Sequence, residues 1–161
     1  MKLDRSILGD EQKILVATIY GESAGCSLVA WEAIANVIVN RVGNREWSRY
    51  NTVTKVIQDT GFDAYTYQNA PYKEAIQYLN NRDGSNQRIE QLIKIVLPVY
   101  NRERMDVTGG AVLYYSPKAQ EQLANENPRL YSRTPEWNFD VLELVNVSGA
   151  ENDDLKFYKY R

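Results

Sequence analysis

A lone carboxylate stands in the run Ile19-Tyr20-Gly21-Glu22-Ser23. An apolar helical stretch leads up to it. Asp10 can cap the start, Glu11 and Gln12 fall in the first turn, and Ile14, Leu15, Thr18 and Ile19 form the inward stripe. Gly21 reads as the break of that helix. A carboxylate near a helix C-terminus feels the negative end of the macrodipole, and shielding by Tyr20 and Trp31 would add a desolvation cost, so both effects oppose ionisation. A carboxyl kept protonated near neutral pH is a general acid. The other reading of Glu22 is a solvated helix-end residue. Ser23 either orients the acid or a substrate hydroxyl, or bonds to nearby backbone as a turn residue.

A second helix is expected from about Ser27 to Val42, because Leu28, Trp31, Ile34, Ala35, Ile38 and Val42 recur at three- and four-residue spacings. Asn36, Asn40 and Arg41 lie off the centre of that face. The combined pattern, Tyr20-Gly21-Glu22-Ser23, a turn, then Ala35-Asn36-Val37-Ile38-Val39-Asn40-Arg41-Val42, resembles the spore-cortex-lytic type of cell wall hydrolase. Asn51-Thr52-Val53-Thr54-Lys55-Val56-Ile57 is similar to that family's Thr-Val-x-x-Val-Ile segment, and Gly61-Phe62-Asp63-Ala64 sits where it has Gln-Phe-Ser/Thr-Ala. Gly109 to Pro117 is similar to its Gly-Ala-x-x-Tyr/Phe-x-Asn-Pro strand and turn, while Pro135-Glu136-Trp137 and Phe157-Tyr158 echo later aromatic positions. The chain departs from the pattern in three places. Gly61 replaces a glutamine, Ser116 replaces an asparagine, and the histidine that usually precedes the last aromatic pair is missing, since the sequence has no histidine.

The resemblance implies a mainly helical α+β fold, lysozyme-like with a small antiparallel β element, that cleaves the β-1,4 bond between N-acetylmuramic acid and N-acetylglucosamine in peptidoglycan, with Glu22 as the catalytic acid. A retaining or inverting hydrolase needs a second carboxylate, about 5 Å away as nucleophile or about 6.5–9.5 Å away as water-activating base. A lytic transglycosylase uses one. Its acid protonates the leaving oxygen, then takes the proton of the sugar's own 6-hydroxyl as a 1,6-anhydro ring closes. The resemblance favours this route. Asp63 is the best second carboxylate, because Gly61 to Tyr65 forms the loop that the resemblance places near the cleft; facing Glu22 it would restore hydrolysis. Glu32 and Glu74 read as exposed helix residues.

Tyrosine is the second compositional signal, with twelve residues. Its flat apolar body and polar tip suit the C–H faces and hydroxyls of sugars. Tyr65, Tyr67 and Tyr72 follow the cleft loop, and Tyr114 and Tyr115 fall on a strand near Val112 to Tyr115. Neighbours on a strand point to opposite faces, so one of that pair lines the cleft while the other packs. The turn at Ser116-Pro117 favours Tyr115. The substrate-contact candidates are therefore Ser23, Phe62, Asp63, Tyr65 and Tyr115.

At 161 residues the chain suits one catalytic domain over 1–161, burying about 68–70% of its unfolded surface. Its single cysteine, Cys26, excludes an internal disulfide, and without histidine a transition-metal site or a histidine-based triad is excluded, so no metal or cofactor is expected. Asp153-Asp154 could attract calcium but reads better as a polar turn. A net charge of −2, from 19 basic and 21 acidic residues, argues against nucleic acid as a partner. Peptidoglycan is the expected partner of a monomer; a cognate inhibitor protein inserted into the cleft is a second one, and a non-catalytic peptidoglycan-binding or tail-structural module is the alternative of another class. No stretch is apolar for long enough to span a membrane. Met1-Lys2-Leu3-Asp4-Arg5-Ser6 lacks the pattern of a secretion signal. The expectation is therefore a protein made in the cytoplasm that reaches the wall by lysis, a phage particle or an injection system, or else a trimmed mature form.

The remaining elements are expected as helices over Thr52 to Gln58, Pro71 to Leu79 and from a Ser85 cap through Ile89, Leu92, Ile93, Val96, Leu97 and Tyr100, with Pro98 bending or ending the last. A small helix near Lys118 to Ala124 and a terminal hairpin of Val141–Val147 with Leu155–Tyr160 complete the chain.

Overall fold

The computed structural model describes residues 5–81 and 83–161, so the reading of Met1 to Asp4 as a start without a secretion signal lies outside the described residues, as does Arg82 of the polar linker before the long helix. Among the described residues there are seven α-helices and three strands. The protein is a mainly helical α+β fold with a small antiparallel sheet.

Helix α1 spans Asp10–Ser23. Its N-cap is Gly9, not Asp10: Gln12 Oε1 accepts the Gly9 N–H at 2.9 Å, which leaves Asp10 and Glu11 in the first turn against the positive helix end. Gly21 does not break the helix. It lies in the last turn, where a Cβ would meet the Ala64 Cβ at 2.7 Å and Asn69 Oδ1 at 2.9 Å. The glycine is needed for close approach across the fold rather than for a turn.

Helix α2, Leu28–Arg41, is capped by Ser27, whose side chain accepts from the Ala30 N–H. Its side chains are buried without interruption from Ala30 to Val39, so it is a central helix rather than an amphipathic one. Two expectations fail here. Leu28, placed on the inward face, is exposed, and Glu32, placed outward, is 6% exposed and pairs with Arg104 at 2.9 Å.

Thr52 caps α3 (Val53–Asp59), α4 (Asp63–Tyr67) follows in what reads from sequence as a loop, and Asn69 caps α5 (Ala70–Asn80) with Pro71 in its first turn. Helix α6 is Gln87–Tyr100, capped by Asn86 rather than Ser85, and it runs past Pro98. Ile89, Leu92, Ile93 and Val96 are fully buried along it. Helix α7 is Pro117–Glu126. Helix α1 packs along α5 and α6, and α2 packs along α6, which places the main core between these helices.

Strand β3 (Lys156–Tyr160) lies between β1 (Leu113–Tyr115) and β2 (Leu142–Val145), antiparallel to both, with Leu113 opposite Tyr158 and Val145 opposite Phe157. The β2–β3 hairpin forms as expected. Its connection is more than a polar turn. Asp153 accepts from the Ser27 N–H at 2.9 Å and the Ser27 hydroxyl at 2.6 Å, whereas Asp154 accepts from the Ser116 hydroxyl and from the Lys118 N–H at 3.1 Å. Adjacent carboxylates thus hold the starts of α2 and α7.

Candidate active site

The end of α2 positions the strand that matters most. Asn40 Nδ2 donates to the Ala111 carbonyl at 3.0 Å and Arg41 Nε to the Val112 carbonyl at 2.7 Å, which fixes the approach to β1. Asn40 also donates to Asp106 at 2.7 Å. Asp106 accepts the Thr108 and Gly110 N–H groups at 2.8 and 2.9 Å, closing a turn in which Gly109 and Gly110 have φ of 61° and 109°. On the other side, Asn69 Nδ2 donates to the Gly21 carbonyl at 2.9 Å and its Oδ1 accepts from the Tyr72 N–H, tying the start of α5 to the last turn of α1.

These anchors bring α1, α2, α4 and β1 around a cavity of about 500 Å³, within the span of about 300–1,000 Å³ usual for small-molecule clefts. Glu22, Arg41, Asp63, Tyr114, Tyr115 and Trp137 supply its chemistry. Glu22 is half-buried, and the Tyr114 hydroxyl donates to its Oε1 across a long 3.4 Å. Burial pushes the Glu22 carboxyl up to about 6; the Asp63 charge adds to this, while the Ala64 N–H and the Tyr114 hydroxyl oppose it. Burial also pushes the Tyr114 phenol well above its ordinary value, helped by the Glu22 charge, so this hydroxyl stays a donor.

Of the residues expected to contact substrate, Phe62, Asp63 and Tyr115 line this cavity. Phe62 is 2% exposed, which makes it a wall rather than an open face. Tyr115 meets Trp137 edge to face at 5.6 Å and stacks on Tyr158 at 6.3 Å. Two expectations need correction. The buried Ser23 hydroxyl donates to the Ile19 carbonyl at 2.8 Å, so it is turned into its own helix and does not line the cavity. Tyr65 also lies outside it: its hydroxyl accepts from Gln58 at 3.0 Å and its ring packs edge-on against Tyr72. The shield over Glu22 differs too. Tyr20 and Trp31 pair with each other, ring centres 6.3 Å apart, and neither lines the cavity; Tyr114 stands beside the carboxyl instead, with the Phe62 ring 6.5 Å from its own.

Sequence reasoning set Tyr114 aside as the packing member of its pair. The cavity instead reaches both faces at the strand end, with Tyr114 toward Glu22 and Phe157 and Tyr115 toward Trp137. It also missed Arg41, for which the available signal was an arginine closing a mostly apolar helix. Asp153 and Asp154 spend their oxygens on helix starts, and among the described residues no cluster of His, Cys, Asp and Glu is arranged to hold a metal ion.

A family model described as Cell Wall Hydrolase matches residues 27–139, well over half of the chain. The chain belongs to the cell wall hydrolase family. Membership makes it an enzyme acting on the cell wall. The matched segment runs from the cap of α2 to just before β2, so the hydrolase segment carries Arg41, Asp63, Tyr114, Tyr115 and Trp137, while Glu22 precedes it. Neither the curated proteins nor the solved structures contain a match to the chain. Among the described residues of this hydrolase, no helix is long and apolar enough to cross a membrane.

Proposed function

We propose that this cell wall hydrolase cleaves the glycan strand of peptidoglycan at the β-1,4 bond between N-acetylmuramic acid and N-acetylglucosamine, as a lytic transglycosylase with Glu22 as acid and then base. One observation carries the reading: Glu22 is half-buried in a sugar-sized cavity that holds its carboxyl up at about 6. Protonated Glu22 donates to the glycosidic oxygen as the bond to C1 breaks. The resulting carboxylate accepts the proton of the muramic 6-hydroxyl as that oxygen bonds to C1, which closes the anhydro ring and returns the acid to its starting state. The Tyr114 hydroxyl faces Oε1 at 3.4 Å, and the aromatic rings of Tyr115 and Trp137 offer a platform for a sugar ring.

Asp63 favours a second reading. It lines the same cavity and its charge is felt by Glu22, so a hydrolytic muramidase with Asp63 as the second carboxylate uses the same residues. Fragment masses separate the two. Peptidoglycan incubated with the protein and with Glu22→Gln is expected to yield anhydro-muramic ends from the first and none from the second. Reducing ends would favour Asp63, and equal fragments from both proteins would dismiss Glu22.

A further inference from the structure

Arg41 is 5% exposed, yet it lines the cavity. Its Nε donates to the Val112 carbonyl, and its Nη1 to the Thr60 hydroxyl at 2.8 Å and the Thr60 carbonyl at 3.5 Å. Guanidinium carries five N–H donors, so these bonds leave both N–H groups of Nη2 without a partner among the described residues. No carboxylate lies within ion-pair distance of it there, although Glu22 and Asp63 line the same cavity. Aromatic faces surround the group instead, with Cζ 4.5 Å from the Trp47 ring centre and 5.3 Å from that of Phe62. The Trp47 indole N–H is itself buried without a partner, so unmet donors gather at one corner of the cavity. A buried cation without a counter-ion is costly, and a planar guanidinium is shaped for an anionic oxygen pair.

The geometry points to Arg41 as a specificity-determining residue that binds a carboxylate of the substrate strand. This rests on the glycan reading above and narrows it to strands that bring an anionic group beside the scissile bond. Peptidoglycan has two sources of such a group: the lactyl carboxylate of muramic acid where no stem peptide is attached, and the free carboxylates of the stem peptide itself. Both present the same chemistry to Arg41. The bonds to Val112 and Thr60 hold the guanidinium plane in place before the ligand arrives, which limits the ordering cost of binding.

The test is calorimetric titration of the full chain carrying Glu22→Gln, which binds without turnover, with soluble alternating glycan strands in matched pairs. One pair is peptide-free, with the lactyl carboxylate free or capped as a methylamide; the other carries stem peptides with carboxylates free or amidated. Capping is expected to weaken binding about tenfold or more in one pair, which identifies the source, and Arg41→Gln is expected to erase that difference. If Arg41→Gln fails to fold, the guanidinium ¹⁵N resonance of Arg41 replaces it, and should shift with the free-carboxylate strand alone. Equal affinity for capped and uncapped strands, or a resonance indifferent to the cap, overturns the carboxylate role and leaves glycan binding standing. Binding of no strand at all removes both readings.

Discussion

Glu22 ionises at a cost in the folded protein, because burial holds its carboxyl at about 6 against an ordinary 4.5. Between those values the native state binds more protons than the unfolded chain, so this group's contribution favours folding most at low pH and declines as pH rises through about 6. Glu22→Gln should therefore gain about 1–2 kcal/mol at pH 7 and little at pH 4. Thermal unfolding at both pH values checks this, and an equal gain at each would contradict it. For the proposed cleavage the sign is the same: with Glu22 as an acid that must start protonated, activity is expected to fall roughly tenfold per pH unit above about 6, read from the alkaline limb of kcat/KM. Tyr114→Phe removes a bond that lowers the Glu22 value, so the limb should move to higher pH while the maximal rate falls about tenfold or less. A limb that stays in place would show that the 3.4 Å contact is idle. Glu22 stood out in the sequence as a lone carboxylate closing an apolar stretch, and the resemblance supplied its proposed role as acid. Tyr114 was not legible, since alternation assigns opposite faces without saying that a cavity wraps the strand end.

Helix starts were readable to within a residue wherever Ser27, Thr52 or the residues around Asn86 offered a side-chain oxygen to the first turn. The role of Gly21 was hidden, because it depends on Ala64 and Asn69, far along the chain. In an isolated helix Gly→Ala gains about 1 kcal/mol, but overpacking costs about 1–3 kcal/mol, and a 2.7 Å approach to Ala64 makes overpacking the larger effect. Gly21→Ala is thus expected to lower the denaturation midpoint; a rise would mean that α4 yields freely. The aspartates of the hairpin connection act on elements in the same way. Asp154→Ala removes the acceptor for Ser116 and Lys118 at the start of α7, at a cost of about 0.5–2 kcal/mol. Gln120 of that helix lines the cavity, so KM for strands should rise while the alkaline limb stays near 6.

The family segment and the folded unit do not coincide. Residues 27–139 leave out α1, which carries Glu22, and also β2 and β3, of which β3 is the middle strand of the sheet. A fragment limited to that segment is expected to lack a cooperative melt by circular dichroism and to release nothing from peptidoglycan, whereas the full chain is expected to melt cooperatively and to release glycan fragments. Periodicity exposed the helices and the hairpin because each is local. The cavity draws on residues from Glu22 to Leu155, and only the resemblance, not spacing, pointed toward that assembly. The distribution of the indoles has a practical corollary. Trp31 is sealed at 0% exposure, whereas Trp47 and Trp137 line the cavity wall. Native fluorescence therefore carries an optical reporter of occupancy without any label. A bound strand should alter the emission of those indoles and leave Trp31 dark to the change, so that quenching by iodide, read before and after loading, would track filling of the cleft directly.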